Sequence, residues 1–384
     1  MKLCYVAQNK LYLFENGKSR EIPCQRIEKF HQNLQELKNR NDWKSEGTGA
    51  KFQQRENPYA HLAENAHTRI TSIAAREGAL FYAVDLNGET GGVSRKDSFE
   101  LDAPEGLLLS SRSFDLSDLF IRGKEAYASL NQRAFERHII RLDPDTGHYD
   151  MLTSGDTIEN HPVLSRDGNY LYYDAIGIAY GEVGQMLGKS PSEIMKLDLR
   201  RGEIESVLSD EKINYRKLTE DEKGGFYVMS RPYEAPKEKR DNPLGCLLGV
   251  FYVFKGIAMF FAGIAKAAKN GKSNGPQLAT NAGIRKEKET VTIEEQIVDI
   301  EKTLAENTKN GEQYPGIVPS TWKLEYVDGD GKHEVIARGV MDYQLDAARN
   351  LYYTNGRHLI RRDKEGNTES LVSGKMITQI AVLE

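Results

Sequence analysis

A four-strand phrase recurs along the 384 residues of this chain, and the two chain ends carry complementary fragments of it. Repeats of this size stack into a common architecture, and fragments left at the ends must meet to satisfy their sheet edges. The phrase is clearest in His161-Pro162-Val163-Leu164-Ser165-Arg166-Asp167-Gly168-Asn169-Tyr170-Leu171-Tyr172-Tyr173, continued by Glu193-Ile194-Met195-Lys196-Leu197-Asp198-Leu199 and Gly202-Glu203-Ile204-Glu205-Ser206-Val207-Leu208. Each piece alternates or runs apolar over strand length, and Asp-Gly or Arg-Gly marks turns where positive φ is wanted. Four short antiparallel strands are predicted.

The aromatic second strand recurs at Leu80-Phe81-Tyr82, Ala126-Tyr127, Phe226-Tyr227-Val228 and Leu351-Tyr352-Tyr353. Third strands recur at His138 to Asp143, Trp322 to Tyr326 and His358 to Arg361, and fourth strands at His333 to Ile336 and Thr368 to Leu371. At the N-terminus, Lys2 to Ala7, Lys10 to Phe14 and Arg20 to Pro23 match strands two, three and four; Ile377 to Leu383 matches strand one. The fold expected is all-β, a six-bladed β-propeller closed by the N- and C-terminal strands in one blade, with a helical insertion in the fifth blade. A β-sandwich with a second domain would not require complementary ends.

The run from Pro162 to Tyr173, followed by Ser192-Glu193-Ile194-Met195-Lys196-Leu197-Asp198, resembles the repeat of TolB-type propellers and of the N-terminal propellers of prolyl-oligopeptidase-like enzymes. The shared pattern is a Pro, Ser-x-Asp-Gly, an aliphatic-aromatic strand and a strand ending in Asp. Elsewhere the rhythm alone survives: Gly78, Gly123 and Gly224 keep the turn glycine, and Ala347-Ala348-Arg349-Asn350 has lost it. The resemblance implies a fold and transfers no catalytic residue. There is no Gly-x-Ser-x-Gly elbow of a hydrolase domain.

Residues 1–234 are expected to hold blades one to five with an insertion at 25–68, residues 235–318 a second insertion, and residues 319–384 the rest of blade five, blade six and the closing strand. Strands alternate in direction, so the departures at 25–68, 176–191 and 235–318 all project from one face, and function is expected there. Ile27, Phe30, Leu34 and Leu37 are spaced as one helical stripe that would cap the ring. Trp43 to Lys51 lacks the spacing of a phosphate cradle and reads as a loop. Gly177 to Lys189 is expected to be a short helix or irregular loop.

The third departure carries an apolar run from Leu244 to Ala268, long enough to span a bilayer. Crossing is disfavoured, because a central Lys255 costs about 3 kcal/mol and both ends must return to neighbouring strands. Two readings stay open. In one, the helix lies in a membrane surface with Lys255, Lys266 and Lys269 in one sector and the aromatic side sunk. In the other it docks into the mouth of the ring or a partner's groove, with Gly249, Gly256 and Gly263 allowing close approach. Either way the contact residues expected are Leu247, Phe251, Phe254, Lys255, Ile257, Phe260, Phe261, Ile264, Lys266 and Lys269. Val291, Ile293, Ile297, Ile300 and Leu304, with a capping box at Thr292 and Glu295, predict an amphipathic helix over 289–308.

A formal net charge of -5 gives no basic field for nucleic acid. Cys4, Cys24 and Cys246 are odd in number without C-x-x-C spacing, so no zinc site or disulfide framework is expected, and the N-terminus lacks a signal-peptide pattern. The eight histidines are scattered, and Asp143, Asp167, Asp198, Asp346 and Asp363 fall at turns where backbone capping accounts for them. No catalytic, cofactor or metal residue is assigned. The expected function is that of a cytoplasmic, non-catalytic binding or scaffold protein, reaching a protein partner or the inner membrane surface through the apolar insertion. The rival is a propeller-type hydrolase or lyase with a site at the axis, which convergence of three or more His, Asp, Glu or Arg side chains there would favour.

Overall fold

The computed structural model describes residues 1–42, 57–100, 103–112, 114–133, 136–181, 186–234, 290–293 and 296–383. The fold is mostly β, built from four-stranded antiparallel meanders in chain order. The first comprises β1 (Lys2–Ala7), β2 (Lys10–Glu15) and β3 (Lys18–Ile22), which borrow their fourth strand from the C-terminus. The second is β4 (Thr68–Arg76), β5 (Ala79–Leu86), β6 (Thr90–Lys96) and β7 (Gly106–Arg112). The third is β8 (Leu116–Arg122), β9 (Glu125–Arg133), β10 (Glu136–Leu142) and β11 (Tyr149–Met151). In the fourth, β12 (Thr157–Leu164) and β13 (Tyr170–Tyr180) precede a short β14 (Met186–Lys189), then β15 (Glu193–Asp198) and β16 (Ile204–Leu208). The fifth begins with β17 (Ile213–Glu220) and β18 (Phe226–Pro232); a hairpin of β19 (Thr290–Ile293) and β20 (Gln296–Asp299) intervenes before β21 (Lys323–Val327) and β22 (His333–Arg338). The sixth is β23 (Asp342–Leu345), β24 (Leu351–Thr354), β25 (Gly356–Arg362) and the first part of β26 (Thr368–Leu383).

The second part of β26 pairs with β1, placing Tyr5 opposite Ile380 and Cys4 opposite Ala381. One strand thus serves two meanders. The contact is apolar as well as hydrogen-bonded, because Leu3, Tyr5, Phe14, Tyr352, Leu359, Ile377 and Ile380 form one buried cluster. The aromatic second strands fill the spaces between units, and in β5 all eight residues are buried, which suits a strand covered on both faces.

Turn residues follow the reading of the sequence. Gly78, Gly123, Gly168 and Gly224 all have positive φ in the turn after the first strand. The sixth unit puts Arg349 there instead, at φ 65°. Asp143, Asp167, Asp198, Asp346 and Asp363 each accept a hydrogen bond from a backbone N–H of their own turn. The hydrogen bond from Ser165, followed by those from Asn169, holds Asp167 down to about 2.

Three expectations need correction. Helix α1 (Gln25–Asn41) does form, but Ile27 and Phe30 pack on the seam between the first two units, not over an axis, and Leu37 is exposed. Its N-terminus is fixed by Glu105, whose Oε2 accepts from Gln25 N at 3.2 Å and lies 3.4 Å from the buried Lys96 Nζ. A second helix, α2 (Pro58–Glu64), packs beside it. Where a short helix or irregular loop was expected over 177–189, the described residues are strand: β13 runs on to Tyr180 and pairs with β14. The amphipathic helix expected over 289–308 is a hairpin followed by α3 (Ile300–Lys309), capped by Asp299 and not by Thr292. The run Thr290-Val291-Thr292-Ile293 is β-branched throughout, and χ1 crowding favours strand over helix.

Replacing Ile380, which is 1% exposed, by Ala should cost about 2–5 kcal/mol in urea unfolding. Val335→Ala, on an outer strand, should change stability by about 0.5 kcal/mol or less. Equal shifts in the two variants would contradict a buried junction between the chain ends.

Candidate functional site

In four of the units the first strand does not run straight at its centre. Register slips occur at Ile70/Ser72 in β4, Ser117/Phe120 in β8, Asn160/Val163 in β12 and Arg216/Thr219 in β17. Such bulges re-aim the side chain of the extra residue. In three of them a non-glycine residue takes the left-handed conformation, Asp118 at φ 51°, His161 at 49° and Lys217 at 47°. Left-handed backbone costs an L-residue roughly 1–2 kcal/mol, so each needs compensating contacts.

Those contacts link one unit to the next. His161 Nε2 lies 3.6 Å from Asp118 Oδ1 in the preceding unit, and Nδ1 lies 2.7 Å from Asp174 Oδ1 on its own β13. Lys217 N donates to the same Asp174 oxygen at 3.2 Å, while Lys217 Nζ donates to Asp342 Oδ1 at 2.5 Å. Asp342 Oδ2 accepts from Ile380 N at 3.0 Å. From there Gln379 Nε2 donates to Thr71 O at 2.9 Å, and Thr71 Oγ1 donates to Leu116 O at 2.5 Å, two residues before Asp118. The sequence of contacts passes through all the meanders and returns to its starting strand. Asp174 is wholly buried, and the side chains of His161, Lys217 and Asp342 are 14%, 13% and 14% exposed.

A cavity of about 370 Å³ lies beside this belt, at the C-terminal ends of β8, β12, β17 and β23. Phe120, Val163, Leu164 and Leu345 give it apolar walls, and Lys217 is among its lining residues. Arg122, Arg166 and Arg349 also line it. Arg122 donates to Leu164 O and Ser165 O at 3.4 and 2.5 Å, both neutral acceptors. Loss of water pulls its pKa below the usual arginine range, opposed by Glu220, Tyr127 and Asp167 and reinforced by Arg166. Glu220 is occupied, with Oε1 accepting from Tyr172 Oη at 2.7 Å and Oε2 from Arg166 N at 2.7 Å. Burial, then that hydrogen bond, pushes the Tyr172 hydroxyl up and keeps it a donor.

The cavity sits at the end with short turns, opposite the face where function was expected. At the elaborated end the stem of the insertion is anchored: Asn307 Nδ2 donates to Gly316 O and Val318 O at 2.9 Å, and Arg231 lies 3.8 Å over the Trp322 ring. Leu247, Phe251, Phe254, Lys255, Ile257, Phe260, Phe261, Ile264, Lys266 and Lys269 all lie outside the described residues, as does the segment Trp43 to Lys51. Among the described residues no helix is long and apolar enough to cross a membrane, and no cluster of three or more metal-type ligands occurs. Asp118, Asp174, Lys217, Asp342 and Gln379 were not singled out from the sequence. A signal existed in the polar residue at the same place in successive first strands, Ser117-Asp118, Asn160-His161 and Arg216-Lys217, each followed by Leu or Pro.

No protein-family model and no curated protein sequence matches the chain. Among solved structures it resembles TolB from Acinetobacter baumannii, with a TM-score of 0.48 and 9% identity over 99% of this chain and 66% of that one. It also resembles the tricorn protease, with a TM-score of 0.44 and 11% identity over 96% of this chain and 33% of that one. A putative 6-phosphogluconolactonase from Bacteroides uniformis gives 0.43 and 10% over 99% and 98%. The chain therefore spans a third of the tricorn chain and about two thirds of the TolB chain. The likeness carries no residue role.

Asp174→Ala would strand the donors of His161 and Lys217 in a buried site, so stability should fall by about 3–5 kcal/mol. Asp118→Ala, at a longer and more exposed contact, should cost about 1 kcal/mol or less. Equal losses in thermal or urea unfolding would contradict this ranking.

Proposed function

We propose that the six meanders close into a single six-bladed ring and that the protein is a non-catalytic binding propeller, cytoplasmic and in part peripheral to the membrane. Its partner contact is assigned to the apolar segment 244–268 at the elaborated end. The observation that carries this reading is the axial belt, in which Asp118, His161, Asp174, Lys217 and Asp342 are engaged with one another across unit boundaries. Groups held in mutual contacts act as staples between blades, which supports a binding scaffold over an acid–base centre. Leu247, Phe251, Phe254, Ile257, Phe260, Phe261 and Ile264 would supply the apolar contact, with Lys255, Lys266 and Lys269 at its polar edge.

Because Val298, Val318, Trp322 and Met341 pack into one cluster, the stem must be kept in any deletion. Replacing residues 237–288 by a short linker should leave the unfolding midpoint nearly unchanged. The same change should abolish flotation with anionic lipid vesicles or recovery of the protein partner. Retained flotation and partner recovery would defeat the proposal.

A hydrolase or lyase reading is favoured by one specific feature, the imidazole of His161 set between two carboxylates and close to a cavity. In that reading Asp174 would orient the ring and Nε2 would be the proton acceptor. Ester, lactone or peptide hydrolysis by the purified chain that disappears in His161→Asn would establish it in place of the first.

A further inference from the structure

The turn after β23 departs from the pattern of its neighbours in a way that costs stability. Four other units place glycine at the left-handed position, Gly78, Gly123, Gly168 and Gly224, whereas the sixth places Arg349 there. A strained position held by a large cation points to use of its side chain. Arg349 is only 22% exposed and lines the cavity. Its contacts are weak in geometry: Nε lies 3.6 Å from Glu222, an NH2 nitrogen 3.9 Å from Asp221, and both terminal nitrogens reach Glu220 O at 3.4–3.5 Å. Arg166 shares Glu222 at 3.5 Å, and that carboxylate is 60% exposed. Arg122 rests on carbonyl oxygens alone among its hydrogen-bonded acceptors.

Three guanidinium groups therefore surround one opening, which Glu220, Glu222 and Asp346 also line; Glu222, the carboxylate shared by Arg166 and Arg349, is solvated and makes no paired hydrogen bonds. Arginine forks match planar carboxylates in two-point contacts, which none of these three makes among the described residues. The walls are apolar, and a volume of about 370 Å³ is at the lower end of small-molecule sites. We propose that this cavity binds a small organic carboxylate, its anionic head taken by Arg349, Arg166 and Arg122 and its apolar body placed against Phe120, Val163, Leu164 and Leu345. Glu222 occupies the head position in the absence of ligand and gives way to it. The proposal does not depend on the partner contact proposed above.

Titration calorimetry on the full chain tests this with 3-phenylpropionate, its neutral amide and inorganic phosphate. The carboxylate should bind saturably, the amide and phosphate at least about tenfold more weakly. Arg349→Gly suits the turn and should preserve or raise the melting temperature while weakening carboxylate binding about tenfold. Arg166→Gln should weaken it with the fold intact, and Glu222→Gln, which removes the competing carboxylate, should tighten it. Binding of the amide or of phosphate as tightly as the carboxylate overturns the proposal. So does an absence of carboxylate binding, or affinity unchanged in both Arg349→Gly and Glu222→Gln.

Discussion

An unpaired strand edge leaves a row of N–H and C=O groups without partners, and the first meander of this protein would have such an edge if β1 stood alone. The C-terminal half of β26 covers it, with Tyr5 opposite Ile380 and Leu3 opposite Val382. The cost of bringing together segments separated by almost the whole chain rises only slowly with length, and the buried cluster around Tyr5 and Ile380 offsets it. The position of Asp342 depends on the same pairing, because its Oδ2 is met by the N–H of Ile380. Lys217, and through it Asp174 and His161, then depend on Asp342.

Charged side chains on the first strands consequently have two kinds of partner. At mid-strand, bulges turn Asp118, His161 and Lys217 toward neighbouring units, and their left-handed backbone is tolerated because each finds an oppositely charged or hydrogen-bonding partner. Farther along the same strands, Arg122, Arg166 and Arg349 meet carbonyls and a solvated carboxylate. Paired charges hold the blades in the proposed ring, and loosely paired ones remain for a ligand. Along the first strands the paired groups are thus the more buried and the arginines the more exposed.

Much of the framework was legible because two signals coincide in it. Buried aromatic second strands such as Leu80-Phe81-Tyr82 and Leu171-Tyr172-Tyr173 mark each unit, and turn glycines separate its strands. The missing glycine at Ala347 to Asn350 was visible in the sequence, but its meaning was not, since that depends on Arg349 facing a cavity lined from four units. Asp174 was hidden for a similar reason: nothing local distinguishes it from the outward polar residues of an ordinary strand. Around 290–299 apolar spacing fitted a helix as well as a hairpin, and β-branching decided for the hairpin. The extension of β13 past Gly177 was masked by glycines that read as a loop, although Ile176 and Ile178 continue the strand's burial.

The junction of the chain ends is open to a direct chemical measurement, because Cys4 already stands opposite Ala381. Ala381→Cys, in a chain with Cys24→Ser and Cys246→Ser, should give after oxidation a monomer whose non-reduced peptide map links residue 4 to residue 381. A chain in which both thiols remain alkylatable, or link only between molecules, would contradict the account.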